Sequence, residues 1–549
     1  MKASGRTYRV ASIAVLAALT ATLACSHQSS LRNKVEELFA AWNKFDEPGC
    51  SDGVSRHGTT LHERGYGSAN LDLAVPMSSA SVLNAASISK QLTAMSILLL
   101  ARRGQLSLDD DVARYIADWG EREYPVTIRH LLSHTSGLRD AFVLQGLRPE
   151  HPENINDQIV SILTQARGLN FAPGSRFEYN NGAYRLLAAI VERVSGRTFS
   201  VFARENIFKP LGMAHSYIHD DATQIMPNRA TGYSRGPDGF RMVVRTYTDV
   251  VVGNSGLFST VGDVLRWQQN FMAPRVGDVA LVAAMERPVI ATGWSDTSRY
   301  GLGVEVAQHR GLRVVAHGGG DQGVRSYVVR YPERGLAIAI LCNRDDMDPA
   351  PVARSIADVF LQGEFPEGAK EAPAQAPATT TISLPVSALQ DKAGLYRDVS
   401  DDSVGRIFVR DGKLMAGAGD GNEYELTPVA PNRFVIIGTP VRAEFVASSG
   451  GKPQELRVTG VGAETRVSRL IAPFTPSKAE LRAFAGTYTS DEVDGTYTNC
   501  GRCRPAASRP DANGYQLRAG VHRRIQRQDA RCPEVLAQSG RNGHRLHGD

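Results

Sequence analysis

Six cysteines in 549 residues are too few to staple a disulfide-built framework. The apolar stretch near the N-terminus, Val10 to Leu23, is too short and too rich in alanine for a membrane span of about 20 residues. Nor does either sign of charge dominate, since 62 Lys and Arg stand against 57 Asp and Glu for a formal charge of +5. That excess belongs to the ends of the chain. Residues 1–25 hold three basic and no acidic residues, and residues 498–549 hold ten arginines and no lysine against four acidic residues. Residues 26–497 have 49 basic against 53 acidic residues, so charge gives no reason to expect a nucleic-acid partner. What is present, 42% hydrophobic and 22% charged residues, excludes wholesale disorder. At about 100–200 residues per domain, the length allows roughly two to four units.

Lys2, Arg6 and Arg9 precede the apolar stretch and the small residues Ala24 and Cys25 close it, the pattern of a secretory signal peptide over residues 1–25. Thr22-Leu23-Ala24-Cys25 loosely resembles a lipobox, in which Cys25 would be lipidated and attach the protein to a membrane; plain cleavage is the alternative. Either route leads out of the cytoplasm, to the periplasm or to a lipid anchor on the cell envelope. Cys50 and Cys342 sit in apolar, strand-like runs. They could pair in an oxidising compartment, but small buried thiols are common in such runs, and unpaired burial is the expectation.

Leu31 to Trp42 places Val35, Leu38, Phe39 and Trp42 on one helical stripe. Gln91 to Arg102 has almost no polar face, so that helix is expected inside its domain. Helical runs continue over Thr127 to Leu132 and Ala183 to Val194, the latter stopped at Ser195-Gly196. Strand patterns follow at Leu302 to Val306, Arg313 to Ala316, Ser326 to Tyr331 and Leu336 to Leu341, then a helix over Pro351 to Phe360. Early and late strands with helices between predict an α+β domain over residues 30–363 whose terminal strands share a sheet.

Residues 364–383 have the Pro/Ala-rich composition of a linker. Short alternating strands between turn signals predict a small antiparallel β-barrel over residues 384–471. Leu389 to Tyr396 aligns with Leu481 to Tyr488, so residues 476–497 read as the start of a second, incomplete barrel. No strand is legible after Tyr497. Residues 498–549 form an irregular Arg-rich tail, expected to be disordered or translated out of register. Its Cys500, Cys503, Cys532 and His544 are zinc-ligand types, but no folded frame surrounds them and no metal is expected.

Ser87-Ile88-Ser89-Lys90 stands immediately before the most apolar helix, so Ser87 falls at its N-terminus with Lys90 one turn on, on the same face. A serine nucleophile needs a base, and its oxyanion needs donors. A lysine whose pKa is lowered by burial is such a base, and a helix N-terminus supplies such donors. The spacing alone is weak, because Ser449-Gly450-Gly451-Lys452 repeats it in a Gly-rich hairpin and a capping serine with a surface lysine would look the same. Tyr179-Asn180-Asn181 falls on a loop before the next helix, where a phenol can face Ser87; a capping turn explains it equally well, and Tyr497-Thr498-Asn499 resembles it. His317-Gly318-Gly319-Gly320 lies between two strand patterns. It reads either as a plain glycine turn or as a strand edge along which a substrate can lie.

Together and in this order, these motifs resemble the serine β-lactamase and penicillin-binding-protein-like family over about residues 30–363. Gly104 to Asp110, Thr127 to Leu138 with its Leu131-Leu132-Ser133-His134-Thr135-Ser136-Gly137 core, and Gly256 to Thr260 reinforce the likeness. The resemblance implies a β-lactamase/transpeptidase-like domain with Ser87 as the acylated nucleophile and Lys90 and Tyr179 sharing proton transfer. Asn181 would hold the substrate's amide or ester group, and the backbone N–H groups of Ser87 and Gly320 would form the oxyanion hole. His317 and Gly319 would complete the substrate-binding strand, and no cofactor is needed.

Relatives that act on β-lactams or D-alanyl-D-alanine peptides usually carry Lys-Thr-Gly where this chain has His317-Gly318-Gly319. A mostly neutral histidine and a missing hydroxyl weaken carboxylate recognition. The chain therefore looks most like D-aminopeptidase and esterase-like members, which implies an acyl hydrolase for small amides, peptides or esters. The alternatives are a β-lactamase or DD-carboxypeptidase and, from another class, a catalytically silent binding or sensor protein. Asp52, in an otherwise apolar early strand, has no role assigned by the sequence.

Overall fold

The computed structural model describes residues 29–146, 155–236, 239–244, 252–366, 382–399, 403–417, 423–436, 441–447, 453–459 and 465–472, together with three short strands beyond residue 485. Its central sheet has eight strands: β1 (Cys50–Arg56), β2 (Thr59–Tyr66), β3 (Ile290–Ala291), β4 (Arg299–Tyr300), β5 (Glu305–His309), β6 (Leu312–Asp321), β7 (Val324–Tyr331) and β8 (Leu336–Cys342). Their order is β3-β4-β5-β6-β7-β8-β1-β2, antiparallel throughout, so the early strands close onto the late ones.

Strand β8 shows how the sheet is covered. Alternate side chains enter different cores, as the two-residue period of a strand requires. Leu336, Ile338 and Ile340 meet Val35 and Phe39 of the N-terminal segment and Ala353, Ile356 and Phe360 of the Pro349–Phe360 helix. Ala337, Ala339 and Leu341 face the larger helical core, where the small alanines leave room for the Val261–Met272 helix. The Ser89–Arg102 helix is buried nearly all round in that core, as its lack of a polar face predicts.

Of the two readings of His317-Gly318-Gly319-Gly320 the strand edge holds: the run is the continuous second half of β6, paired residue for residue with β7. Two expectations are corrected. Cys50 and Cys342 are not free thiols: they face each other across β1 and β8 and are joined by a disulfide. A strand does follow Tyr497, because Gln526–Gln528 pairs with Thr487–Thr489 in a small sheet that also holds Gly495–Asn499. Cys25, the linker over 367–381, and Cys500, Cys503, Cys532 and His544 lie outside the described residues. Asp52 proves to be sealed in the sheet with His62 Nε2 3.2 Å from its carboxylate, and the same nitrogen is 3.3 Å from the Tyr66 hydroxyl.

Eight strands from Gly394–Asp398 to Arg466–Ile471 close into an antiparallel barrel around Tyr396, Ile407, Leu414, Leu426, Phe434 and Phe445. Both Gly394 and Gly486, the glycines matched in the sequence repeat, begin strands. Among the described residues no helix is long and apolar enough to cross a membrane.

Candidate active site

Ser87 lies in a 3₁₀ turn, Ala86–Ile88, that runs directly into the Ser89–Arg102 helix. Ala86 has φ +46°, a left-handed conformation costing a residue with a Cβ about 1–3 kcal/mol. Several bonds hold it there. Asn84 Oδ1 accepts the Ala86 N–H at 2.8 Å, Ala85 N–H donates to the Leu257 carbonyl at 2.8 Å, and the Ala85 carbonyl accepts from Ser326 Oγ at 2.8 Å. The turn is thus tied to its neighbours on both sides and carries Ser87 at its apex.

Lys90 is fully buried, with Nζ 3.0 Å from Ser87 Oγ, 2.8 Å from Asn181 Oδ1 and 2.8 Å from the Asn254 carbonyl oxygen. Burial holds its pKa well below the usual lysine range, and among the described residues no carboxylate forms an ion pair with it. A neutral amine has two protons and one lone pair. Asn181 Oδ1 and the Asn254 carbonyl can only accept, so they take the two protons, and the lone pair is left for the Ser87 hydroxyl. The Tyr179 phenol, half-buried and hydrogen-bonded to Ser87, has its pKa pushed upward by desolvation and stays protonated at neutral pH. Its ring centroid lies 4.8 Å from Lys90 Nζ.

Tyr179 and Asn181 flank Asn180, which caps the Asn181–Ser195 helix by accepting the Ala183 N–H at 2.9 Å. Asn180 Nδ2 also donates to the Leu138 carbonyl at 2.9 Å, anchoring the triplet to the neighbouring loop. The helical cap and the site-bearing triplet, alternatives in the sequence, are therefore the same three residues.

Strand β6 forms the opposite wall. Strand β5 pairs with it only as far as Ala316, so among the described residues no strand covers that side of residues 317–321. Gly318 and Gly320 are exposed there. Gly319 is buried, and a Cβ on it would overlap Ser326 Oγ and stand 2.6 Å from the Ala85 carbonyl. Only glycine lets β6 approach the Ser87 turn this closely. His317 turns inward, 3% exposed, with Nδ1 2.6 Å from the Gly318 carbonyl and Nε2 2.9 Å from the Tyr300 hydroxyl. The carbonyl can only accept, so Nδ1 carries the proton and Nε2 accepts from Tyr300. Burial lowers the His317 pKa to about 3, with Lys90 adding to the effect.

The structure thus gathers Ser87, Lys90, Tyr179 and Asn181 in one hydrogen-bonded group, with Gly319 against the serine turn and the His317 ring 6.4 Å from that of Tyr179. Sequence reading missed Asn254, whose backbone carbonyl carries no residue-type signal, and Tyr300, a single residue in a two-residue strand. Trp294 and Phe177 add an aromatic wall, 6.1 Å from Tyr179 and 5.5 Å from Tyr300, respectively.

A family model described as "Beta-lactamase" matches residues 35–361. Penicillin-binding protein 4* of Bacillus subtilis is 27% identical over 407 residues, covering 71% of this chain and 88% of its own length. A D-aminopeptidase of Brucella anthropi is 30% identical over 283 residues, or 51% of this chain, which spans about half (53%) of that protein. The structure of the octameric penicillin-binding protein homologue from Pyrococcus abyssi superposes with a TM-score of 0.57 at 23% identity, covering 80% of this chain and 99% of that one. The β-lactamase/transpeptidase-like fold implied by the motifs is therefore the fold found, followed by a closed barrel.

Proposed function

The chain belongs to the Beta-lactamase family, and from that premise we propose that it is a secreted serine hydrolase acting through an acyl-enzyme on small amides, peptides or esters. The observation that carries the reading is the proton inventory at Lys90, whose lone pair is left facing Ser87 Oγ at 3.0 Å. Ser87 Oγ attacks the substrate carbonyl carbon as its proton passes to Lys90 Nζ, and backbone N–H groups of Ser87 and Gly320 receive the developing oxyanion. Collapse breaks the bond to the leaving amine or alcohol, which takes the proton through the Tyr179 hydroxyl. Water then attacks the acyl carbon, gives a proton to the same pair of groups, and returns Ser87 to its starting form.

The substrate class is narrowed by what the site does not offer. His317 is neutral and both its nitrogens are engaged, so it presents no cation to a substrate carboxylate. This supports neutral amides and esters over β-lactams and stem peptides, and accords with the D-aminopeptidase relatives. A buried disulfide supports folding in an oxidising compartment, and with the signal pattern at residues 1–25 it favours a periplasmic or, through Cys25, lipid-anchored protein.

A fluorophosphonate probe and a panel of D-amino-acid amides, short-chain esters, a cephalosporin and a peptidoglycan stem peptide test the proposal on wild type and Ser87→Ala. The expected result is labelling and turnover of amides or esters by wild type alone. Absence of labelling from both proteins, or a cephalosporin as the best substrate, would overturn it.

A further inference from the structure

Leu131-Leu132-Ser133-His134-Thr135-Ser136-Gly137 reinforces the family likeness in sequence, yet none of its side chains belongs to the group around Ser87. In the structure this segment lies along the loop that delivers Tyr179. Gly174 N–H donates to the Thr135 carbonyl at 2.8 Å, Glu178 N–H to the His134 carbonyl at 2.9 Å, and Asn170 N–H to the Gly137 carbonyl at 2.7 Å. Gly137 has φ +68°, and a Cβ there would strike the Phe171 carbonyl. The two loops are zipped together over their length.

His134 is the one side chain of the motif that reaches the catalytic group. It is fully buried and sits at φ +58°, an uncommon conformation for a residue other than glycine. Its Nδ1 accepts the Asn180 N–H at 3.0 Å, so the proton of the neutral ring is on Nε2. Among the described residues that Nε2 has no hydrogen-bond partner. It is enclosed by rings instead: Tyr179 at 4.2 Å between centroids, and Tyr184 and Tyr300 each at 4.9 Å. A strained backbone and an unpaired buried N–H are each unfavourable, and a plain structural packing residue would need neither.

We propose that His134 is a positioning residue for Tyr179: its Nδ1 fixes the backbone that follows the tyrosine, and its ring is the platform against which the phenol is held toward Ser87. Asn180 completes the device from the other side by holding the Leu138 carbonyl. The inference rests on the acyl-enzyme reading above. Among the described residues His134 makes no hydrogen bond to Ser87 or to residues 317–321, so it acts on the rate through Tyr179 rather than on substrate affinity.

The test compares His134→Ala, His134→Phe and His134→Asn, each normalised to active sites by the burst of a p-nitrophenyl ester. Ala removes both the acceptor and the platform; kcat per titrated site is expected to fall about 10²-fold, with KM changed by less than about threefold. Phe keeps a ring but leaves the Asn180 N–H without its acceptor. Asn places an amide oxygen near the Nδ1 position and tolerates the left-handed backbone, so it should recover more of kcat than Phe does. If the Ala variant does not fold, the Phe and Asn pair still decides. The proposal is overturned if kcat per site in a folded Ala or Phe variant stays within about twofold of wild type, or if Asn does no better than Phe. A wild-type protein with no Ser87-dependent burst would instead remove the acyl-enzyme reading itself.

Discussion

Lys90 and Arg330 are both fully buried cations by composition, but only Arg330 has a carboxylate. Its Nη2 and Nε lie 2.5 and 3.2 Å from Glu286 Oε1, its Nη1 is 2.8 Å from Gln268 Oε1, and its guanidinium carbon stands 3.9 Å from the Phe271 ring centroid. Burial lowers the Arg330 pKa while Glu286 opposes the shift, and the guanidinium keeps its charge. Among the described residues Lys90 is hydrogen-bonded only to neutral oxygens, and none of them offsets its desolvation. The same burial therefore goes with a charged strut in one place and, in the proposed mechanism, with a base in the other. The two are linked, because Gln268 Nε2 donates to Oε1 of Gln91, the residue after Lys90, at 2.9 Å.

Replacing each residue in turn is the sharpest way to break that contrast. The largest expected effect is on the rate: Lys90→Met should lower kcat about 10³-fold, the scale of losing a general base, while leaving thermal unfolding at or above the wild-type temperature. A clear loss of stability in that variant would mean that Lys90 is a strut too. Glu286→Gln should do the reverse. Leaving Arg330 buried without its partner is expected to cost about 3–5 kcal/mol in urea unfolding, with the Ser87 burst per folded molecule intact.

A smaller effect is expected from pH. The folded-state pKa of Lys90 lies below its unfolded value of about 10.4, so between the two values the unfolded chain binds the extra proton. Stability should then rise with pH across that window, by at most about 1.4 kcal/mol per unit. Lys90→Met should remove this increment from unfolding curves taken between about pH 7 and about pH 10. The acylation rate should rise with pH only below that window, as folded Lys90 gives up its proton, and be level within it. Identical pH dependence of stability in the two proteins would place a charged lysine in the site.

How much of this was legible in the sequence depends on how each residue acts. Ser87, Lys90, Tyr179 and Asn181 meet through side-chain types that stand at short spacings, and their motifs are visible along the chain. Gly319 was legible as a glycine but not for its reason, the closeness of Ala85, which is a tertiary fact. Asn254 works through a carbonyl that any residue would supply. Tyr300 acts on His317 from another strand. Most helices and strands of the main domain follow their apolar periods, although the strand expected over Leu302 to Val306 forms at Glu305–His309, whereas the His317 to Gly320 run read equally well as a turn because three glycines carry no period at all. The pairing of Cys50 with Cys342 could not be read from two cysteines so far apart; register across the first and last strands decides it.

That disulfide has a topological consequence. It closes the 292-residue separation between Cys50 and Cys342 into a covalent ring, and every residue gathered around Ser87, as well as His134 and the glycines of β6, is inside it. The Pro349–Phe360 helix and the barrel hang outside. A single peptide-bond cut anywhere between residues 51 and 341 would therefore leave Ser87 and His317 on one molecule, migrating as an uncut chain until a thiol is added. A cut after residue 361 would release the barrel and leave the ring whole.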